Sequence, residues 1–300
     1  STQAKTLFPY TTLFRSRGPT ITTMSRRTGL IRFINTSASP VTFYSTGATG
    51  IPITVPPGNI ATIAGGGIGD VTDGANPTSA RFLGPTDVAI HPTSDDIYIA
   101  DAGEQTGTSA SSPAASRIRR INRSTGAVST ILTGGVNDAY TGVGFDSAGR
   151  LLVANAGRKT SATNFGNSAI LREKASGQCA TNATGCFDTI LSGGTGSLLK
   201  NPRDVAEGKD GALYVTNAGP SENGRSDNKL LRIVISGTTG TATVFAGSTL
   251  GYTGDGGPAV NAQLNLEATD FQTSTSGTRF DVRVNIGISV TPSGEIIFSD

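Results

Sequence analysis

A short acidic or amide side chain recurs four times in one setting. Asp101 precedes Ala102-Gly103, Asn155 precedes Ala156-Gly157, Asn217 precedes Ala218-Gly219, and Asp300 ends a matching run. Two more carboxylates, Asp87 and Asp204, open the short apolar runs Asp87-Val88-Ala89-Ile90 and Asp204-Val205-Ala206. Hard oxygen donors of this kind suit Ca²⁺. Asp87, Asp204, Asp101, Asn155 and Asn217 are therefore the candidate ligand-binding set. The same residue types have a structural use: a short Asp or Asn side chain accepts from nearby backbone N–H groups and orders a turn. Recurrence at every repeat favours architecture over a single cation site.

Other chemistry is sparse. His91 is the one histidine, which excludes any site needing two or three imidazoles. It is expected as a surface turn residue. Asp255, in Gly254-Asp255-Gly256-Gly257-Pro258, reads as a tight-turn residue before it reads as a calcium ligand. No glycine-rich loop ends in Lys-Ser or Lys-Thr, so phosphate cradling has no support. Cys179 and Cys186 enclose six residues. That spacing fits a local hairpin disulfide worth about 2 kcal/mol, with two thiols as the other state, and it is not a zinc spacing. A disulfide would place the protein outside the reducing cytosol, in an extracellular, periplasmic or cell-surface setting. Arg119, Arg172 and Arg232 recur in equivalent runs, and local pairing with carboxylates is expected of them rather than a phosphate stripe.

The elements that position these residues follow from composition and repeat. Gly is 40 of 300 residues, charged residues are 15% and the net charge is +2. So low a charge argues against a helical bundle, and there is no basic field for nucleic acid. No apolar run approaches the roughly 20 residues of a membrane helix. The four Asp/Asn positions lie 54, 62 and 83 residues apart, the last interval holding a polar insertion at 270–283. Each is preceded by a run such as Ile97-Tyr98-Ile99-Ala100 or Leu213-Tyr214-Val215-Thr216. Each unit adds an apolar run before it, an Arg-bearing run after it and a fourth run ending near Gly. These runs are β-branched or aromatic, four to seven residues long and bounded by Gly, Pro, Asn, Asp and Ser, which is strand punctuation. Four short strands repeated every ~55–60 residues predict an all-β propeller of four-stranded antiparallel blades. Three whole blades are expected at about 85–135, 141–194 and 202–248. A half blade built on Leu30-Ile31-Arg32-Phe33-Ile34 precedes them, and the first two strands of another follow. The second-to-third-strand and inter-blade connections are long and share one rim. The opposite rim has tight turns.

The chain resembles the NHL-repeat β-propeller family, particularly its bacterial and teneurin-like branch. The resemblance is carried by Asn201-Pro202-Arg203-Asp204-Val205-Ala206 with Gly211 to Gly219, by Gly84 to Ala89 with Ile97 to Asp101, and by the inter-blade turn Gly251-Tyr252-Thr253-Gly254-Asp255-Gly256-Gly257-Pro258-Ala259. It covers roughly 58–300 and implies a propeller of six blades, about four of them present. The resemblance implies a non-catalytic scaffold, binding a protein or glycan outside the cell through the long-loop rim. Gluconolactonase-like propellers imply the alternative, a divalent-cation-dependent hydrolase or lyase with its ligands at the channel mouth. A nucleic-acid-binding module, as in some eukaryotic relatives, is the third class, and nucleic acid is not the expected partner.

Residues 6–16, TLFPYTTLFRS, resemble a translated sequencing adapter. Residues 1–29 are accordingly expected to be a non-native extension outside the fold, with the propeller over 30–300. Both ends of the chain read as cut, and an incomplete propeller with open strand edges is expected to self-associate.

Overall fold

The computed structural model describes residues 12–15, 20–25, 29–67, 73–74, 76–103, 115–159, 165–175, 177, 179, 185–194, 196–218, 228–266, 273–274, 277–278 and 286–299. It is all-β. The strands are β1 (Thr12–Arg15), β2 (Thr20–Ser25), β3 (Leu30–Asn35), β4 (Val41–Phe43), β5 (Ile53–Val55), β6 (Ile60–Ala64), β7 (Pro85–Ile90) and β8 (Ile97–Asp101). Then come β9 (Arg117–Ile121), β10 (Val128–Thr133), β11 (Tyr140–Phe145), β12 (Leu151–Asn155), β13 (Arg158–Lys159), β14 (Phe165–Gly166), β15 (Ala169–Glu173) and β16 (Phe187–Ser192). The last are β17 (Pro202–Glu207), β18 (Leu213–Asn217), β19 (Lys229–Ser236), β20 (Thr239–Ala246), β21 (Thr273–Ser274), β22 (Gly277–Thr278), β23 (Ile288–Val290) and β24 (Ile296–Phe298). Among the described residues no helix is long and apolar enough to cross a membrane.

Three antiparallel sheets run in simple meander order: β7-β8-β9-β10, β11-β12-β15-β16 and β17-β18-β19-β20. These are the three expected whole blades. Their second strands, IYIAD, LLVAN and LYVTN, are buried at every position. A strand flanked on both sides within its sheet and covered on both faces reads as a continuous apolar run, and these do. The turns between first and second strands repeat one device. A residue in the left-handed region sits at Asp95, Gly149, Gly211 and Gly294. Glycine accepts that conformation at no steric cost, and Asp is among the few residues that tolerate it.

The chain divides into two units. The first draws on residues 1–103, 116–133 and 179–183, the second on 104–115, 134–178 and 184–300. In the first unit β3 pairs with β6 as the half-blade reading expected, and β4-β5 forms the enlarged hairpin between them. The sheet has the order β1-β2-β3-β6. The backbone of residues 12–15 and 20–25 runs as strands, β1 paired with β2 and β2 with β3. The reason is physical: β3 offers a row of N–H and C=O groups that need partners, and the β-branched run Thr20-Ile21-Thr22-Thr23 is suited to supply them. The hairpin is fastened to the turn after β9. Tyr44 N–H donates to the Arg123 carbonyl at 3.1 Å, and Gly50 N–H to the Thr125 carbonyl at 2.8 Å. The Arg123 guanidinium lies 3.7 Å over the Phe43 ring, and the Tyr44 hydroxyl donates to the Ile63 carbonyl at 2.6 Å.

In the second unit the blades pack face to face. Leu152, Ala154 and Ile170 of one sheet meet Val205, Val215 and Leu231 of the next. Each fully buried Leu or Ile contributes roughly 1.5–3 kcal/mol. The inner strands β11 and β17 approach so closely that a Cβ on Gly142 would stand 2.6 Å from Asp204 Cα, and one on Gly144 would stand 2.8 Å from the Val205 carbonyl oxygen. Small residues on the innermost strand are what blade stacking around an axis demands.

Candidate functional site

All five candidate residues are buried. Asp101 closes β8, and its carboxylate accepts from Gly84 N–H at 2.6 Å, Leu83 N–H at 3.0 Å and Gly103 N–H at 3.4 Å. Burial pushes this carboxyl above the ordinary Asp range, against the pull of those three N–H groups and the Arg119 charge. Asn155 closes β12 in the same way. Its Oδ1 accepts from Ala139 N–H at 2.9 Å and Gly157 N–H at 3.1 Å, while its Nδ2 donates to Asp138 at 2.7 Å. Asn217 closes β18, accepting from Lys200 N–H at 2.8 Å and Asn201 N–H at 3.2 Å. The residue after each one donates its backbone N–H to the carbonyl before the first strand: Ala102 to Gly84, Ala156 to Ala139 and Ala218 to Asn201, at 2.8–3.0 Å. The recurring Asp/Asn is a latch that ties the end of the second strand to the entry of the first. Asp300 lies outside the described residues.

Asp87 and Asp204 sit one step further along their inner strands, and a device with no sequence signature positions them. In all three blades the register between first and second strands shifts by one residue at this point, leaving Thr86, Thr141 and Arg203 as the extra residue. Such a bulge bends the strand and re-aims the side chains beside it. Asp87 accepts from Val88 N–H at 3.0 Å. Asp204 accepts from Val205 N–H at 2.8 Å through one oxygen, and from Ile288 N–H of β23 at 2.8 Å through the other. Its carboxylate therefore bridges two successive blades. Two hydroxyls repeat the theme. Thr141 donates to the Pro202 carbonyl at 3.0 Å, and Thr216 donates to the Ile286 carbonyl at 3.0 Å. Sequence reasoning did not single out either threonine. Their signal was the small polar residue at the bulge and at the second-strand end.

The structure brings Asp204 and Asn217 together in one blade, and Asp87 and Asp101 in another. Among the described residues no group of three His, Cys, Asp or Glu side chains is placed to hold a metal ion. Two of the three third-strand arginines pair with carboxylates as expected, and the third donates to a backbone carbonyl of the next blade. Arg119 reaches Asp73 at 3.4 Å, Arg232 reaches Asp210 at 2.7 Å, and Arg172 donates to the Gly237 carbonyl at 2.8 Å.

One expectation is corrected. His91 is buried rather than on the surface: its Nδ1 faces the N–H groups of Thr93 and Ser94 at 3.3 and 3.2 Å, so the ring is folded in to order its own turn. Cys179 is buried and Cys186 half-buried, and Lys174 N–H donates to the Cys186 carbonyl at 2.9 Å.

Most of the long-loop rim, over 104–114, 160–164, 219–227, 267–272 and 279–285, lies outside the described residues. Its described part in the second unit is the connection from β20, residues 247–266. Backbone bonds order it, among them Gly247 N–H to the Ala259 carbonyl at 3.0 Å and Gln263 N–H to the Thr253 carbonyl at 2.8 Å. It presents Tyr252, 75% exposed, with the Asn265 amide hydrogen-bonded to the phenol oxygen. Asp255, beside it, is an exposed turn residue, as its glycine neighbours predict.

No protein-family model matches the chain, and no curated protein matches it. Among solved structures it is similar to a catalytically inactive virginiamycin B lyase from Staphylococcus aureus, with 14% identity and a TM-score of 0.44, over 99% of this chain and 72% of that one. It is similar to a putative gluconolactonase with 14% identity and a TM-score of 0.37, over 75% of this chain and 62% of that one. It is also similar to the PQQ-bound aldose sugar dehydrogenase of Streptomyces coelicolor, with 14% identity and a TM-score of 0.38, over 81% and 82%.

Proposed function

We propose that this chain is an NHL-type propeller scaffold that binds a protein or glycan outside the cell through its long-loop rim. One observation carries the reading. The residues whose types could do chemistry direct their oxygens at backbone N–H groups, within a blade at Asp101, Asn155 and Asn217 and between blades at Asp204. They make a rigid frame, and on a rigid frame the variable surface is the loops. Tyr252 offers an exposed ring with the Asn265 amide at its hydroxyl, which suits stacking on a sugar ring or seating in a protein pocket. A glycan microarray probed with the chain tests the reading. A hit should be lost at least tenfold in Tyr252→Ala and kept in Lys209→Ala on the opposite rim. The reverse pattern overturns it.

The second reading is a divalent-cation-dependent hydrolase or lyase. It draws on the buried inner-strand carboxylates Asp87 and Asp204, and lyase and gluconolactonase are activities named for the similar structures. Calorimetric titration with CaCl₂ separates the two. Tight binding that disappears in Asp204→Asn favours the enzyme class, and an unchanged heat of dilution favours the scaffold.

A further inference from the structure

The three whole blades end in β10, β16 and β20 as their outer strands, and the three edges are not alike. In β10 the outward backbone groups are sealed. Gly74 N–H donates to the Val128 carbonyl at 2.7 Å, and the Thr130 N–H and hydroxyl donate to the Asp73 carboxylate at 2.9 and 2.7 Å. In β16 the edge carries Asp188, and a bulge follows Thr189. A covering segment, a charge and a bulge are devices that keep an edge strand from pairing with another chain.

Over 239–244, β20 has none of them among the described residues. The strand reads TGTATVFA, with no charge and no proline. Its ladder with β19 is regular from Thr239 to Val244, and the bulge comes only at Phe245. The two-residue turn Gly237-Thr238 makes Ser236 and Thr239 a hydrogen-bonded pair, so Thr239, Thr241 and Thr243 direct their backbone groups at β19. Gly240, Ala242 and Val244 direct theirs outward, and among the described residues nothing bonds to those groups. β20 is the fourth strand of a complete four-stranded blade, so this edge is a property of that blade.

We infer that the outer edge of β20 is an interface through which the chain pairs with a second copy of itself, antiparallel about a two-fold axis at Ala242. That register sets Ala242 opposite its own counterpart and Gly240 opposite Val244 of the second copy. Each pair exchanges two N–H···O=C bonds, so every outward group of 240, 242 and 244 on both strands is satisfied. Two features make a second copy the fitting occupant. The outward groups are symmetric about Ala242, which an isologous contact requires. The edge is uncharged and the chain's net charge is only +2, so a copy meets little repulsion. On the exposed face the same register sets Thr241 opposite Thr243 of the second copy, a β-branched cross-strand pair. The inference does not rest on the rim reading, since β20 runs along the outside of its blade.

Sedimentation equilibrium of the full 300-residue chain tests this. A reversible monomer–dimer equilibrium is expected. Ala242→Pro removes one outward N–H and no bond to β19, and it should raise the dimer dissociation constant about tenfold or more. Thr241→Lys combined with Thr243→Lys sets like charges opposite each other across the axis and should weaken the dimer as much, most strongly at low salt. Thr241→Lys combined with Thr243→Glu sets opposite charges there and should bring pairing back to within about threefold of wild type. Both charge pairs lie on the exposed face, so they read the register even where the proline disturbs the strand. A chain that stays monomeric at every concentration overturns the inference. So does a dimer that ignores Ala242→Pro and both charge pairs, or one that Ile297→Lys on β24 dissociates in their place.

Discussion

Gly142→Ala tests blade stacking at its tightest point. Gly142 lies on the inner strand β11, and an added Cβ would stand 2.6 Å from Asp204 Cα, 2.7 Å from the Arg203 carbonyl oxygen and 2.9 Å from an Asp204 carboxylate oxygen. Ordinary carbon contacts begin near ~3.5 Å, so the two inner strands would have to part by close to 1 Å. Two of the three atoms are backbone and cannot rotate away. That shift also pulls on Asp204, whose other oxygen holds Ile288 N–H of the next blade. Overpacking of this kind costs about 1–3 kcal/mol and occasionally more, and here the upper end is expected, a fall in Tm on the order of 5 °C. Gly135→Ala is the internal control, because its Cβ would meet only an Asp138 oxygen at 3.5 Å. That change should be neutral or stabilising by up to about 1 kcal/mol through the unfolded chain. Urea unfolding followed by circular dichroism reads both. If Gly142→Ala is as stable as Gly135→Ala, β11 and β17 do not approach as described, and the blade packing of the second unit is wrong.

Other outcomes follow from the latches. The Asp101 carboxyl is held above its ordinary range by burial, so the native state binds its proton more tightly than the unfolded chain. Its stabilising contribution is complete below about pH 4 and is lost as pH rises through the folded value. Asp101→Asn does not titrate there, so wild type should lose stability relative to the variant between pH 3.5 and 8 in urea titrations, and parallel curves would refute this. Asn228 is fully buried, and neither of its amide atoms has a hydrogen-bond partner among the described residues. The equivalent residues Ser116 and Ser168 donate to the carbonyls of Asp101 and Ala156. Asn228→Ser should therefore stabilise by about 1 kcal/mol, against the 1–3 kcal/mol cost of an orphaned polar group, and a loss of stability in thermal melts would contradict it.

The strands, their grouping in fours and the turn residues were legible in the sequence, because alternation, β-branching and glycine punctuation are local properties. Ile97-Tyr98-Ile99-Ala100 and Leu151-Leu152-Val153-Ala154 are apolar throughout, and only burial on both faces explains that. The Asp/Asn latch was legible as a recurrence, and the structural reading of it rested on the turn chemistry of short polar side chains. Other features were not legible, since each depends on atoms far apart in the chain. The bulge at Thr86, Thr141 and Arg203 is a property of register between two strands, not of either alone. The bond from Asp204 to Ile288 spans 84 residues. His91 turned inward because two N–H groups of its own turn needed an acceptor. Residue types thus determined what each segment could become, an extended strand or a tight turn. Tertiary packing decided which polar atoms face each other, because a carboxylate that could bind a cation is directed to structure once folding places backbone N–H groups against it.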